Sequence, residues 1–243
     1  MLVSRDASEG EALEAGLKFR VHVPEGEPIS GRPLVVLAHG RAGDRTLMWV
    51  FSKGLQREGV KRLMPVVVTP EAFLVDEKGG FSWWPIRDKL ATVSEALCAE
   101  GLREVLHAVD VFRGFVLNIE RMFQTDPGFR VVGGFSQGAA LCATLSLRDP
   151  DFFRGVALLA GFVPQAVLQQ QGGLPDRVQP KAQYFIAHGT ADPIIPFARA
   201  EQARDWLMAA GAPVTFHSDA VTHKVGAGGI RALGEWFEEL WTK

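Results

Sequence analysis

Gly134-Phe135-Ser136-Gln137-Gly138 sets one hydroxyl between two glycines, just after the apolar run that begins at Val131. A serine hydroxyl is a poor nucleophile near neutral pH. It needs a base within hydrogen-bond reach, and the base needs an acid that fixes its tautomer. The chain offers both, in the order Ser, Asp, His. Asp192 closes His188-Gly189-Thr190-Ala191-Asp192, and His223 lies between the last apolar strand-like segment and the last helix-like one. Of the six histidines, His22 falls in an early strand and His107 in a long helix, both poor places for a base. His217 competes with His223, but at or near a strand end its ring would pack more readily than catalyse. The structural alternatives are a helix N-cap for Ser136 and a turn cap for Asp192.

Attack on a carbonyl also needs donors for the developing oxyanion. The backbone N–H of Gln137, directly after the nucleophile at a helix start, is one candidate. The second is the N–H of Arg41, in the loop His39-Gly40-Arg41-Ala42-Gly43-Asp44. The Arg41 guanidinium has two readings: contact with a substrate carboxylate, or a solvated group or one paired to Asp44. Trp83 and Trp84 follow Gly79-Gly80-Phe81 and could wall an acyl pocket; one is expected to touch substrate and the other to be structural. Gly226-Ala227-Gly228 begins like a dinucleotide fingerprint, but Arg231 stands at the third glycine position and too little chain follows. His188 with Asp192, or His217 with His223, lacks a third metal ligand at suitable spacing. The expectation is therefore no metal and no cofactor.

These residues need strand ends to hold them. Leu34 to Ala38, Arg62 to Val68, Val131 to Phe135, Gly155 to Ala160 and Ala182 to Ala187 are apolar runs of strand length, with looser strand patterns at Leu17 to Val23 and Val214 to Phe216. Thr69-Pro70 is expected to stop the second of these. Helical segments alternate with them: Thr46 to Leu55, Leu102 to Phe123, Ala139 to Leu147, Phe197 to Ala210, and a last helix with Ile230, Leu233, Phe237 and Leu240 on one side. Val105, Val109, Phe112, Val116, Ile119 and Phe123 recur at helical spacing, and Asp126-Pro127-Gly128 ends that helix. The alternation predicts a single α/β domain over residues 1–243, with a mostly parallel central sheet and helices on both faces. Residues 1–15 are expected to be a poorly ordered extension. Ser136, Asp192 and His223 each follow a different strand, where sites in such sheets form. The irregular segment from Phe162 to Pro180 is long enough to be mobile or to lie over the site.

A formal charge of −2, from 26 Lys and Arg against 28 Asp and Glu, gives no electrostatic footprint for nucleic acid or an anionic membrane. Two cysteines, Cys98 and Cys142, are too few for a disulfide framework and read as buried free thiols. No apolar run approaches the ~20 residues of a membrane span, and the charged N-terminus lacks a signal-like core. The expectations are a cytoplasmic protein with no stable membrane association and a small-molecule substrate. The oligomeric state stays open, a homodimer included.

Four blocks together resemble the phospholipase/carboxylesterase family of α/β-hydrolases, which includes acyl-protein thioesterases: Leu37-Ala38-His39-Gly40-Arg41, Ser82-Trp83-Trp84-Pro85, Gly134 to Ala139, and His188 to Asp192 with Ile195-Pro196. His-Gly-Arg and Trp-Trp-Pro look most like a bacterial esterase branch. Thr222 before His223 and the Ala42-Gly43 pair depart from the usual pattern. The resemblance implies an α/β-hydrolase fold, a triad of Ser136, Asp192 and His223, and oxyanion donors at Arg41 and Gln137. It implies cleavage of carboxylic esters of short to medium acyl chains through an acyl-enzyme. A thioesterase acting on acyl-protein or acyl-CoA shares every motif, a hydrolase-fold binding protein without catalysis is a further alternative, and a nicotinamide-dependent reductase is a distant one.

Overall fold

The unbroken apolar runs become strands buried on both faces, and the helices between them cover those faces. The computed structural model describes residues 2–25, 28–56, 64–86, 99–164, 167 and 180–242. In chain order the elements are β1 (Leu2–Asp6), α1 (Glu9–Ala15), β2 (Phe19–Pro24), β3 (Leu34–Ala38), a 3-10 helix (Leu47–Gln56), β4 (Val66–Pro70), β5 (Leu74–Val75), β6 (Phe81–Ser82), α2 (Ala99–Phe123), β7 (Arg130–Phe135), α3 (Gln137–Arg148), β8 (Gly155–Leu159), β9 (Gln183–Gly189), α4 (Phe197–Ala209), β10 (Val214–Asp219) and α5 (Ala227–Thr242).

Eight strands form one sheet in the order β1-β2-β4-β3-β7-β8-β9-β10. From β4 to β10 neighbouring strands run parallel, while β2 is antiparallel to both β1 and β4. This is the mostly parallel sheet that the alternation predicts. Val105, Val109, Phe112, Val116 and Ile119 of α2 are fully buried and share a core with α3 and α4 on one face. On the other face Met48, Phe51 and Leu55 of the 3-10 helix meet Leu233, Phe237 and Leu240 of α5.

Several expectations are corrected. Residues 2–15 are not a disordered extension but supply β1 and α1. Ser8 and Glu11 form a reciprocal capping box, Gly16 ends the helix at φ +88°, and Arg5 pairs with Glu11. Thr69 and Pro70 do not follow β4 but are its last two residues, paired with Arg20 and Phe19 of β2, a strand-end position that tolerates proline. β10 runs on to Asp219, so His217 lies within the strand. The β5–β6 hairpin is new relative to the sequence reading. Cys142 is a buried free thiol; Cys98, and residues 165, 166 and 168–179 of the irregular segment, lie outside the described residues.

Candidate active site

β7 and α3 meet at Ser136, which has φ +53° and ψ −114°. A side chain held at positive φ costs about 1–3 kcal/mol, and the surrounding packing must enforce it. The two flanking glycines allow that packing. A Cβ at Gly134 would fall 2.2 Å from the Gly138 carbonyl carbon, and one at Gly138 would fall 2.3 Å from the Ala38 oxygen. The turn is anchored by the Ser136 N–H donating to Leu159 O at 2.9 Å. Its hydroxyl makes no capping bond to α3. Oγ lies instead 3.0 Å from Nε2 of His223.

His223 stands in the loop after β10, and its Nδ1 is 2.7 Å from Oδ2 of Asp192. Asp192 follows β9 and is buried, and its Oδ1 accepts the amides of Ile194 and Ile195 at 2.8 and 2.9 Å. Burial pushes this carboxyl up, but the hydrogen bond from His223 and those from the Ile195 and Ile194 amides outweigh it and hold the pKa below the usual carboxylate range. His188 donates from Nε2 to Ile195 O at 2.9 Å and also lies 3.3 Å from Asp192 Oδ2. Burial pushes the His188 pKa down, which favours a neutral ring. With Nδ1 of His223 donating to the carboxylate, Nε2 can accept a proton from Ser136. His217, the rival base, sits 3.3 Å from Asp219, which in turn accepts the Gly229 amide of α5.

Across the site, the loop after β3 carries Gly40 and Arg41. His39 fixes this loop: Nδ1 donates to Gly40 O at 2.7 Å and Nε2 accepts the Ala72 N–H at 3.0 Å. That arrangement requires a neutral ring, and burial pushes the His39 pKa down accordingly. The Arg41 guanidinium is paired at 3.0 Å with Asp76, while Asp44 accepts from Thr46. Asp76 is buried and also accepts from the Ser82 hydroxyl and the Lys78 amide, so the β5–β6 hairpin braces Arg41. Nothing in sequence spacing marks this contact across 35 residues.

Of Trp83 and Trp84, one is expected to be structural and one to touch substrate, and the fold buries both. They are 0% and 4% exposed and belong to the core, away from the pocket wall. Trp83 donates its indole N–H to His39 O at 2.9 Å and its backbone N–H to Gln137 Oε1 at 3.0 Å, while Gln137 Nε2 donates to Trp84 O at 2.8 Å. The pair therefore ties the Gly40–Arg41 loop to the start of α3. Gln137 is the first residue of α3, where an amide has no intrahelical acceptor and is suited to meet an oxyanion.

A pocket of about 550 Å³ opens at this point, with Gly40, Arg41, Ser136 and His223 at its lining. The rest is largely apolar, including Leu47, Met48 and Phe51 from the 3-10 helix and Ile230 from α5. Among the described residues, no group of three or more His, Cys, Asp or Glu could hold a metal, and no helix is long and apolar enough to cross a membrane.

A mostly parallel sheet whose strand ends present a serine on a strained strand-to-helix turn, an aspartate and a histidine has the architecture of an α/β-hydrolase. The chain belongs to the phospholipase/carboxylesterase family, whose sequence profile matches residues 29–236. It is 28% identical to acyl-protein thioesterase 1 of Yarrowia lipolytica over 84% of this chain and 90% of that one. Identity to mouse lysophospholipase-like protein 1 is also 28%, over 81% of each chain. Among solved structures, the Bacillus cereus carboxylesterase superposes with a TM-score of 0.75 at 19% identity, covering 96% of this chain and all of that one, a likeness of fold. The family is of esterase and thioesterase type.

Proposed function

We propose that this chain is a serine hydrolase that cleaves small-molecule carboxylic esters of short to medium acyl chains. The reading rests on one observation: the continuous line from Ser136 Oγ through His223 to Asp192, at the lining of an apolar pocket. Ser136 Oγ attacks the ester carbonyl carbon while His223 Nε2 takes its proton. The tetrahedral oxyanion accepts from the backbone N–H groups of Gln137 and Arg41. Collapse breaks the bond to the alcohol oxygen, which receives the proton from His223, and leaves an acyl-Ser136. Water, deprotonated by the same ring, then releases the acid.

Labelling with a fluorophosphonate followed by peptide mapping tests this without a guess at the substrate. An adduct at Ser136, abolished in Ser136→Ala, is the expected result. Lack of labelling would favour a binding protein on a hydrolase fold. A thioesterase is the second reading, favoured by the relatives named acyl-protein thioesterase; matched oxygen and thioester substrates with one acyl chain separate the two. The setting we propose is cytoplasmic, in keeping with Cys142 as a buried free thiol.

A further inference from the structure

Gly226-Ala227-Gly228, which fails as a dinucleotide fingerprint, has another use in the fold. A Cβ at Gly226 would fall 2.5 Å from Oδ2 of Asp219 and 2.6 Å from its Cγ, and one at Gly228 would fall 2.6 Å from Oδ1. The two glycines clear the space in which this one carboxylate lies, at the start of α5. There Oδ2 accepts the Gly229 N–H at 2.9 Å, one of the first-turn amides for which a helix has no acceptor of its own.

Asp219 is also the last residue of β10, and residues 220–226 between it and α5 form the loop that carries His223. Its backbone fixes the near half of that loop. Asp219 O accepts the Thr190 N–H at 2.9 Å and the Val221 N–H at 2.8 Å, and Val221 O accepts the Ala191 N–H at 3.1 Å. A Cβ at Gly189 would fall 2.3 Å from the oxygens of both Val221 and Thr222, so the loop lies directly on the end of β9. Thr190 and Ala191 lead straight to Asp192, the acid of the relay. The far half is joined to the same point by the Asp219 side chain, which holds Gly229 and lies against Gly226. One residue thus closes both ends of the His223 loop.

We infer that Asp219 is a positioning residue for His223: through this clasp it sets where Nε2 stands relative to Ser136 Oγ, a separation of 3.0 Å. The inference rests on the hydrolase reading above and adds to it a residue outside the pocket lining. Proton transfer from Oγ depends on that separation, and a misplacement of ~1 Å can cost about a hundredfold in rate. The effect belongs to kcat, because the clasp moves the base and leaves the apolar wall of the 3-10 helix where it is.

The test measures Asp219→Ala and Asp219→Asn on a chromogenic ester, with Asp126→Ala as control. Asp126 Oδ1 accepts the Gly128 N–H at 2.8 Å, a cap of the same kind at the opposite end of β7 from Ser136. Asp219→Ala is expected to lose about tenfold in kcat with KM within about threefold, and fluorophosphonate labelling of Ser136 should slow in step. Asp219→Asn, whose carboxamide oxygen can accept the Gly229 N–H, should recover kcat to within about twofold of the natural protein. Asp126→Ala should melt at a lower temperature with kcat unchanged, which separates positioning from a general weakening of the fold. If Asp219→Ala does not fold, Gly226→Ala takes its place: the added methyl group displaces the carboxylate, and the same loss of kcat is expected. A natural kcat in the folded alanine variant, a loss carried in KM alone, or an asparagine variant as slow as the alanine one would overturn the inference. Each of these leaves labelling of the natural protein at Ser136, and with it the hydrolase reading, standing. No adduct at Ser136 in the natural protein would remove both.

Discussion

Gln137 Oε1 accepts the backbone N–H of Trp83 at 3.0 Å, across 54 residues of sequence, and the same carboxamide donates to Trp84 O. A buried side chain beside the proposed nucleophile thus satisfies two backbone groups of a segment that itself holds His39 through the Trp83 indole. Gln137→Ala leaves both backbone groups buried and unpaired. The expected cost is about 2–4 kcal/mol, seen as a lower urea midpoint at unchanged slope. Because the Gln137 backbone N–H survives the substitution, any fall in kcat reports displacement of the Gly40–Arg41 loop. A loss of about tenfold on a chromogenic ester is expected, and an unaltered kcat in the folded variant would show that the Trp83–Gln137 link does not position that loop.

The local features of the site are legible in the sequence because they are short-range. Gly134 and Gly138 flank Ser136 within five residues, and the strand and helix on either side are carried by Val131-Val132 and Ala139 to Leu147. His223 is preferred over His217 because the segment after β10 is a loop. What escapes a sequence reading is the set of contacts fixed only by tertiary approach. Sequence alone assigns one of Trp83 and Trp84 to substrate and one to structure without saying which, because an aromatic pair in a loop has no periodicity to show which way it faces; their polar partners, His39 and Gln137, are far away in sequence. The same holds for Arg41, whose partner is Asp76 and not the nearby Asp44. β1 and α1 escape because a run of charged residues masks the Ser8–Glu11 capping signal.

Two glycine substitutions should differ in sign. A Cβ at Gly138 meets the backbone oxygens of Ala38 and His39 at 2.3 and 2.6 Å, atoms that cannot move without parting α3 from β3. Gly138→Ala is expected to cost more than about 3 kcal/mol or to prevent folding. Gly10, inside α1, has nothing within 4 Å of its Cβ position, and Gly10→Ala should be neutral or add about 0.5 kcal/mol. Thermal melts of both variants decide the matter.

His22 predicts an acid weakness at the N-terminal edge of the sheet. Its ring is buried, stacks on Trp49 at 4.0 Å and meets the Ser4 hydroxyl. Burial, and then the Arg20 cation, push its pKa down to about 4. The unfolded chain, with an ordinary imidazole near pH 6.5, binds a proton that the folded chain refuses. Stability from this group is therefore complete above about pH 6.5 and declines as pH falls towards 4, with about 2 kcal/mol lost by pH 5. Urea midpoints at pH 7.5 and 5 should diverge for the natural protein and converge for His22→Gln. An equal divergence in the variant would place the acid sensitivity elsewhere.

Asp192→Asn separates orientation of the base from its presence. The carboxylate takes the Ile194 and Ile195 amides on Oδ1 and His223 Nδ1 on Oδ2. An asparagine can keep its oxygen on the two amides, which turns its NH₂ towards His223. Nδ1 must then accept, the ring proton moves to Nε2, and Nε2 donates to Ser136 Oγ where it should accept. By analogy with the corresponding change in serine proteases, kcat should drop by ~10⁴ while fluorophosphonate labelling slows in step and the circular dichroism spectrum is retained. The same variant should change the acid limb of stability. With its folded pKa held below the usual carboxylate range, Asp192 adds stability that is full above its unfolded pKa and is lost as pH falls through the folded one. The carboxamide has no proton to gain in that range, so this part of the pH dependence should flatten in the variant. A variant that kept most of its kcat would mean that His223 finds its tautomer without Asp192, and the proposed relay would lose its third member.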